Sequence, residues 1–126
     1  NEHTQKIKGV LEYIGLHYTE NISIESLASS CYFSGYHFMR FFKKYVGMSC
    51  LDYIKSLRLQ KAADLLEQQE LSITDAAMTA GFSSLSYFYR EFKKRYGTTP
   101  RQFIHSLPER QHTNRTSTPG SPFSPL

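Results

Sequence analysis

Basic side chains are concentrated in two short segments of the sequence. The first segment contains Arg40, Lys43 and Lys44, and the second contains Arg90, Lys93, Lys94 and Arg95. Glu91 is the only acidic residue inside these segments. The planar fork of arginine can donate two hydrogen bonds to guanine, whereas lysine contacts phosphate as a point charge on a flexible stem. The residue types therefore indicate contacts with nucleic acid in both segments.

The spacing of apolar residues predicts that the second basic segment is an α-helix. Its apolar residues share one face, formed by Leu85, Phe88, Phe92 and Tyr96. The opposite face, at about 100° per residue, carries Ser86, Arg90 and Lys93. Phe88 and Phe92, with Phe38 and Phe42 in the first segment, could also stack on the bases of single-stranded nucleic acid. Their helical spacing instead predicts that all four rings are buried in a core.

A short alanine-rich helix is predicted just before the second basic segment. Its narrow apolar face consists of Ile73, Ala76, Ala77 and Ala80. Small side chains on that face would let a second helix cross closely, and Gly81 ends the helix. The combination of a short helix, a glycine turn and a basic amphipathic helix predicts a helix-turn-helix that reads DNA.

The same arrangement occurs earlier in the chain, so the sequence is internally repeated. Ser72, Ile73, Ala77, Phe82 and Ser83 match residues 49 positions earlier, namely Ser23, Ile24, Ala28, Phe33 and Ser34. Beyond the turn the offset is 50 positions, and Phe88, Arg90, Phe92, Lys93, Lys94 and Gly97 match Phe38, Arg40, Phe42, Lys43, Lys44 and Gly47. Two copies are fewer than a solenoid needs. We therefore interpret the repeat as two recognition modules.

Residues 49–68 contain no Gly or Pro and predict one long helix. Its apolar residues change face midway: Cys50, Tyr53, Ile54 and Leu57 form one stripe, and Leu59, Ala62, Ala63 and Leu66 form another about half a turn away. A helix buried on all sides is disfavoured by five charged residues, Asp52, Lys55, Arg58, Lys61 and Asp64. The two stripes predict a connector whose halves complete different helix-turn-helix units.

The remaining segments complete an all-α prediction. Amphipathic helices are expected over about residues 4–18, after Ser23 and from about Gly35, and a last one from Pro100. The third of these would bury Phe38, Phe41, Phe42 and Tyr45. The predicted fold is a seven-helix domain made of two helix-turn-helix subdomains, 1–48 and 69–107, joined by a long connector helix at 49–68. Residues 108–126 are rich in Pro, Ser and Thr and predict a disordered tail.

Composition and motifs argue against other classes of function. The net charge of +4 and the pI near 9.1 are by themselves a weak indication of a polyanionic partner. Cys31 and Cys50 lack metal-ligand spacing, so we expect buried thiols rather than zinc or a disulfide. His17, His37 and His105 have no catalytic partner at a suitable spacing. We expect no enzyme, cofactor, metal site, signal peptide or membrane span.

With both halves in place, the chain resembles the AraC/XylS family of bacterial transcription regulators over about residues 5–107. The first half carries the resemblance as Ser34 and Phe38-x-Arg40-x-Phe42-Lys43-Lys44-x-x-Gly47, followed by Arg58-Leu59-x-x-Ala62-x-x-Leu65-Leu66. The second half carries it as Ile73-x-x-Ala76-Ala77-x-x-x-Gly81-Phe82-x-x-x-Ser86-Tyr87-Phe88-x-Arg90-x-Phe92-Lys93-Lys94-x-x-Gly97-x-x-Pro100. Phe103-Ile104 departs from the family's Tyr-Arg, and Tyr32 stands where the second copy has its turn glycine, which predicts a less regular first turn.

The resemblance implies which residues contact DNA. Base contacts are implied for Tyr36, Met39 and Arg40 in the first recognition helix and for Leu85, Ser86, Tyr89 and Arg90 in the second. Phosphate contacts are expected from Lys43, Lys44, Lys93 and Lys94 as point charges, and from Ser34 and Ser84 near the helix N-termini. For Arg40 and Arg90 the alternative is a solvated or backbone-bound arginine.

The leading hypothesis is a sequence-specific transcription regulator that binds double-stranded DNA, and the resemblance implies an activator. A single chain would insert its two recognition helices into successive major grooves. The resemblance also implies a bacterial, cytoplasmic and nucleoid-associated protein, with RNA polymerase and a separate N-terminal sensing and dimerisation domain as candidate partners. The alternative is a helical protein-interaction module whose basic face binds an acidic partner.

Overall fold

Serine, threonine and asparagine caps set where the helices of this protein begin. Each cap side chain accepts a hydrogen bond from the backbone N–H three residues further on, which satisfies a group that the helix itself leaves unpaired. The caps are Asn1, Ser23, Ser34, Ser49, Ser72, Ser84 and Thr99. Because Asn1 is a cap, the first helix begins about two residues earlier than predicted.

The computed structural model describes residues 1–108, and these form seven α-helices and no strand. In chain order the helices are α1 (Glu2–His17), α2 (Ile24–Ser30), α3 (Gly35–Val46), α4 (Cys50–Gln68), α5 (Ile73–Ala80), α6 (Leu85–Tyr96) and α7 (Pro100–His105). The predicted all-α fold of seven helices with two helix-turn-helix units is confirmed. Of the predicted tail, 108–126, only Pro108 lies among the described residues.

Two hydrophobic cores follow one another along the chain. The first is built from α1, α2, α3 and the start of α4, and the second from the rest of α4 with α5 and α6. Phe38 and Phe42 are fully buried in the first core, and Phe88 and Phe92 in the second. Burying a side chain of this size stabilises the fold by about 1.5–3 kcal/mol. These rings are therefore core residues, as predicted, and are not accessible for stacking on bases.

Helix α4 contributes to both cores, which confirms its two apolar stripes. Cys50 and Ile54 are buried in the first core, whereas Leu59, Ala62 and Leu66 are buried in the second. The buried face changes between Ile54 and Leu59, where the helix passes from one core to the other. One continuous helix therefore ties the two cores together.

The internal repeat extends beyond the helix-turn-helix units. At the offset of 49 residues, Val10 and Ile14 of α1 match Leu59 and Ala63 of α4, and all four are buried. At the offset of 50 residues, the beginning of α4 matches the beginning of α7. The beginning of α4 is thus the last helical segment of the first copy, as α7 is of the second. The rest of α4 is the first helix of the second copy, as α1 is of the first.

The first turn was predicted to be less regular than the second. The two turns share a left-handed residue and a closing hydrogen bond, but α2 ends one position earlier in the repeat than α5, at a C-cap, Cys31, that is not left-handed. Tyr32 has a φ of 62° and Gly81 a φ of 113°, so both adopt the left-handed conformation. In each turn the following phenylalanine donates its N–H to an alanine carbonyl, at 2.9 Å from Phe33 and 3.0 Å from Phe82. Tyr32 can occupy its position because its side chain is 91% exposed. The left-handed conformation costs a residue with a side chain about 1–2 kcal/mol.

Tyr45 was predicted to be buried but is exposed at the end of α3. Its ring packs on Phe41 at 5.0 Å between centroids, and its hydroxyl lies 3.2 Å from Nδ1 of His3 in α1. The last turn of α3 extends past the first core, so only one side of this ring is covered. Tyr45 therefore lies at the edge of a groove between α1 and α3.

Arg58 was counted among the solvated charges of the connector, and the structure corrects this prediction. Its side chain is half-buried, and its Nε donates to the carbonyl of Tyr18 at 2.6 Å. A second nitrogen donates to the carbonyl of Glu20 at 2.8 Å. These carbonyls belong to the loop between α1 and α2. Arg58 thus joins the connector to the first helix-turn-helix unit.

Gly81 completes the same junction from the second unit. A side chain at this position would begin 2.8 Å from Nε of Arg58 and 3.1 Å from two backbone atoms of Thr19. The glycine is therefore required twice, once by its left-handed φ and once by the close approach of the α1–α2 loop. The turn of the second unit packs directly against the first unit at this point.

Gly97 offers a matched control for this junction, because it also has a left-handed φ, of 76°, but its position is open within 4 Å. Gly97→Ala should lose only the conformational term, about 1–2 kcal/mol. Gly81→Ala should lose more, since Arg58 is held by two hydrogen bonds and the Thr19 atoms are backbone. Thermal melts should therefore show a larger fall in Tm for Gly81→Ala. Equal falls for the two variants would show that the junction accommodates a methyl group.

Candidate nucleic-acid interface

The exposed face of α3 carries a tyrosine and an arginine that contact each other. Tyr36 is 73% exposed, and a guanidinium nitrogen of Arg40 donates to its hydroxyl at 3.3 Å. The guanidinium carbon lies 5.6 Å from the centre of the Tyr36 ring. Ser34 caps this helix by accepting from the N–H of His37 at 3.1 Å. The first recognition helix therefore presents a preformed Tyr–Arg pair near its N-terminus.

Helix α6 presents a similar Tyr–Arg contact, formed with Tyr87, a residue that was not predicted to contact DNA. Arg90 matches Arg40 in the repeat, whereas Tyr87 matches His37, so the two tyrosines do not occupy equivalent positions. The guanidinium carbon of Arg90 lies 5.3 Å from the centre of the Tyr87 ring. The spacing of three residues on a helix places both side chains on one face, and this signal could have identified Tyr87. Ser84 caps the helix, and its hydroxyl lies 3.3 Å from that of Ser86. Arg90 and Ser86 are both exposed.

Three of the residues expected to contact bases are only half exposed. Met39 packs against the first core, and Leu85 and Tyr89 pack against the second. Leu85 was predicted both to lie on the apolar face of its helix and to contact a base, and these two predictions partly conflict. The exposed members of the set are Tyr36, Arg40, Ser86 and Arg90.

The lysines expected to contact phosphate all lie in the last turns of the two helices. Lys43, Lys44, Lys93 and Lys94 are exposed there. A cation in the last turn of a helix is also stabilised by the helix dipole, by about 0.3–1 kcal/mol. Their position is therefore favourable for the helices as well as available to an anion.

Glu91 points into the protein rather than towards the basic surface, although it belongs to α6. It is 6% exposed, and one carboxylate oxygen accepts a hydrogen bond from Nζ of Lys55 in α4 at 2.8 Å. The other oxygen lies 3.6 Å from Nζ of Lys94 and 3.7 Å from Nε of Arg90. The hydrogen bond from Lys55 holds the pKa of Glu91 below its ordinary value and raises the pKa of Lys55. Glu91 therefore locks α6 to the connector.

The repeat contains a signal for the unusual position of Glu91. At the offset of 50 residues it matches Phe41, which is buried against the first core. A position that is buried in one copy is expected to be buried in the other. A carboxylate there needs a cationic partner, and Lys55 supplies it.

Residues 1–108 contain two cysteines and several titratable side chains outside the basic surface. Cys31 and Cys50 are free and buried, and burial raises the pKa of the Cys50 thiol to about 11, so it stays protonated. No group of three or more His, Cys, Asp or Glu side chains within that range is placed to hold a metal ion. None of the helices described there combines the length and apolar character needed to cross a membrane.

A family model described as a helix-turn-helix domain matches residues 27–106. The chain belongs to the AraC/XylS family of transcription regulators. Its fold is also that of a solved family structure, the DNA-binding domain of AdpA in complex with a target DNA. The two superpose with a TM-score of 0.73 at 26% identity, covering 79% of this chain and 90% of that chain.

Two relatives of this chain are longer than the chain itself. Regulatory protein PocR of Salmonella typhimurium is 34% identical over 110 residues, which are 87% of this chain and 36% of PocR. AdaA of Bacillus subtilis, a bifunctional transcriptional activator and DNA repair enzyme, is 39% identical over 94 residues, which are 75% of this chain and 44% of AdaA. This AraC/XylS chain thus spans less than half the length of either relative.

The Lys55–Glu91 pair predicts a defined pH dependence of stability. Because the folded-state pKa of Glu91 is lowered, the stabilisation is present above the ordinary carboxyl pKa of about 4.3 and is lost as pH falls through the lower folded value. The Tm of the unmodified chain should exceed that of Glu91→Gln at pH 7, and the difference should shrink below about pH 4. Asp64→Asn, at an exposed site, should show no such convergence. A Tm difference that stays constant from pH 7 to pH 3 would contradict the assignment.

Proposed function

We propose that this chain is the DNA-binding part of a transcription regulator and that it recognises a specific double-stranded sequence through α3 and α6. The observation that carries the proposal is that Arg40 and Arg90, which occupy matching positions of the internal repeat, each lie over the ring of an exposed tyrosine, Tyr36 and Tyr87 respectively. Membership of the AraC/XylS family supports it, as does the similarity to the AdpA domain that was solved with target DNA.

The two arginines are proposed to read guanine, since a guanidinium can bond O6 and N7 together. Stacking on a tyrosine restricts the guanidinium before DNA arrives, which lowers the entropy lost on binding. The wider set of proposed base contacts is Tyr36, Met39, Arg40, Leu85, Ser86, Tyr89 and Arg90. The proposed phosphate contacts are Ser34, Lys43, Lys44, Ser84, Lys93 and Lys94. Lys94 must exchange its contact with Glu91 for a phosphate, so it contributes less than Lys93.

One chain is proposed to grip two successive major grooves. A helix of 19 residues such as α4 is about 28 Å long, and grooves on one face of DNA recur about every 34 Å. The contacts of Arg58 and Glu91 with their neighbours support a fixed orientation of α3 relative to α6. A mismatch with straight DNA would then be met by bending the DNA.

The wider biology is proposed on the basis of the family. It includes activation of transcription, contact with RNA polymerase, a sensing and dimerisation domain elsewhere in the protein, and a place in the bacterial cytoplasm at the nucleoid. Catalysis is not part of the proposal. The repair activity named for AdaA belongs to that protein, and both thiols of this chain are buried.

Arg90→Lys and Lys93→Gln separate base reading from phosphate binding. Arg90→Lys keeps the charge but loses the fork, so it should cost about 1–3 kcal/mol on a duplex selected from a random pool and weaken preference at one base position. Lys93→Gln should weaken selected and scrambled duplexes alike and reduce the salt slope by about 1. Fluorescence anisotropy titrations measure both. Equal losses on both duplexes for Arg90→Lys would remove the proposed base contact, and no saturable binding by the unmodified chain would favour an acidic protein partner instead.

Footprinting with mass-resolved stoichiometry tests the two-groove arrangement. The unmodified chain should protect two adjacent major grooves with one chain per duplex. A variant carrying Ser86→Ala and Arg90→Ala should keep protection in one groove only, because α3 is unchanged. The matched variant carrying Tyr36→Ala and Arg40→Ala should keep the other groove. Two chains on the minimal duplex, or protection of a single groove by the unmodified chain, would contradict the arrangement.

A further inference from the structure

The internal repeat creates two equivalent grooves beside the recognition helices. One lies between α1 and α3 and has a volume of about 490 Å³, and the other lies between α4 and α6 and has a volume of about 460 Å³. Equivalent positions line them: Lys44 matches Lys94, and Phe41 matches Glu91. The two grooves therefore offer an internal comparison of the same architecture with different charges.

The α4/α6 groove contains its own counterions. Asp52 and Glu91 line it, and both carboxylates contact Lys55, at 3.5 Å and 2.8 Å. Glu91 also lies within ion-pair distance of Lys94. Lys55 and Lys94 are therefore compensated within the protein, whereas Arg95, which also lines this groove, contacts the Tyr96 ring and forms no ion pair within residues 1–108.

The α1/α3 groove has cations without counterions. Arg40, Lys44, His3 and His37 line it, and no carboxylate does. Within residues 1–108, Arg40 and Lys44 contact tyrosine rings and form no ion pair. The nearest acid along α1 is Glu2, which is paired with Lys6 at 3.3 Å. An uncompensated cluster of this kind is suited to an anion from outside the protein.

We propose that the α1/α3 groove binds a phosphate of the DNA backbone and that His3 and Lys44 donate to it. This inference rests on the proposed function and extends the DNA-binding surface to α1, which has no recognition role in the helix-turn-helix itself. Tyr36, Arg40 and Lys44 follow one another at four-residue intervals, so they form one line along α3. This line of side chains runs from the proposed base-reading pair, Tyr36 and Arg40, to the α1/α3 groove. With α3 in a major groove of DNA, the phosphate backbone at the edge of that major groove would lie beside the α1/α3 groove.

His3 is held in a position to donate. Its ring contacts Phe41 and Tyr45 edge to face, at centroid distances of 5.6 and 5.9 Å. Nδ1 lies 3.2 Å from the hydroxyl of Tyr45. In the neutral ring the hydroxyl donates to Nδ1 and Nε2 carries the proton, whereas in the protonated ring Nδ1 donates to the hydroxyl oxygen. In both states Nε2 can donate to a phosphate oxygen. Tyr45 thus acts as a positioning residue for His3.

A histidine donor makes the contact dependent on pH. The charged and titratable groups around His3 are Glu2 and Lys6 on α1 and His37, Arg40, Lys44 and Tyr45 on α3. Imidazole is the side-chain type that ordinarily responds to pH in the physiological range. A bound phosphate favours the protonated imidazole, so the contribution of His3 to DNA affinity should be larger at pH 6 than at pH 8.

Anisotropy titrations of the full 126-residue chain test this inference, with a selected 30-base-pair duplex and a scrambled one of equal length. His3→Gln should weaken binding to both duplexes severalfold at pH 6 and less at pH 8, and should reduce the salt slope at pH 6 by about 1. Lys44→Gln should reduce the slope at both pH values. His105→Gln, at an exposed histidine on α7, should leave affinity and slope unchanged.

The outcomes separate this inference from the proposed function. If the unmodified chain binds no duplex, the proposed function fails. If it binds but His3→Gln has the same affinity and salt slope at both pH values, only the groove assignment is overturned. A loss confined to the selected duplex would make His3 a base contact. Saturable shifts of the His3 imidazole resonances with inorganic phosphate alone would make the groove a site for a free anion, which also overturns the assignment.

Discussion

Helix α4 has to serve two hydrophobic cores with different faces, and this constraint governs the rest of the fold. Its first half buries Ile54 in one core, and its second half buries Leu59 in the other. Since an α-helix turns about 100° per residue, the step between these positions rotates the buried face by about 140°. The relative rotation of α3 and α6 is therefore built into one continuous element that belongs to both copies of the repeat.

The junction at Arg58 makes this arrangement rigid, and the repeat shows how it differs from a plain duplication. Arg58 binds two carbonyls of the α1–α2 loop, and Gly81 leaves room for that loop. The matching positions in the first copy are Gly9 and Tyr32, so the large and small residues are exchanged. Within residues 1–108 no unit packs on the first turn in this way, and Tyr32 extends into solvent. The second copy is thus adapted to dock on the first.

The two copies also differ where they face a charged ligand. Position 41 is a phenylalanine that packs in the first core, whereas its equivalent is Glu91, which binds Lys55. In the second copy the recognition helix is therefore held at this position by an ion pair that also includes Lys94, in addition to its buried Phe88 and Phe92. In the first copy the helix is held by apolar contacts, and Lys44 remains available. The same architecture thus gives the two recognition helices different electrostatic surroundings.

The sequence by itself determined the helices, the two cores and the basic outer faces, because these follow from local spacing. Serine caps and the 3.6-residue period of Phe38, Phe42, Phe88 and Phe92 are readable from neighbouring residues. Only the tertiary structure decided which charged and edge residues are buried and which groups they contact. Arg58 finds its acceptors 38 and 40 residues away, and Lys55 finds Glu91 36 residues away. Helical periodicity by itself places every charged residue on the solvent face. A charged side chain can be buried only beside a partner, and distant partners come together only when the segments pack.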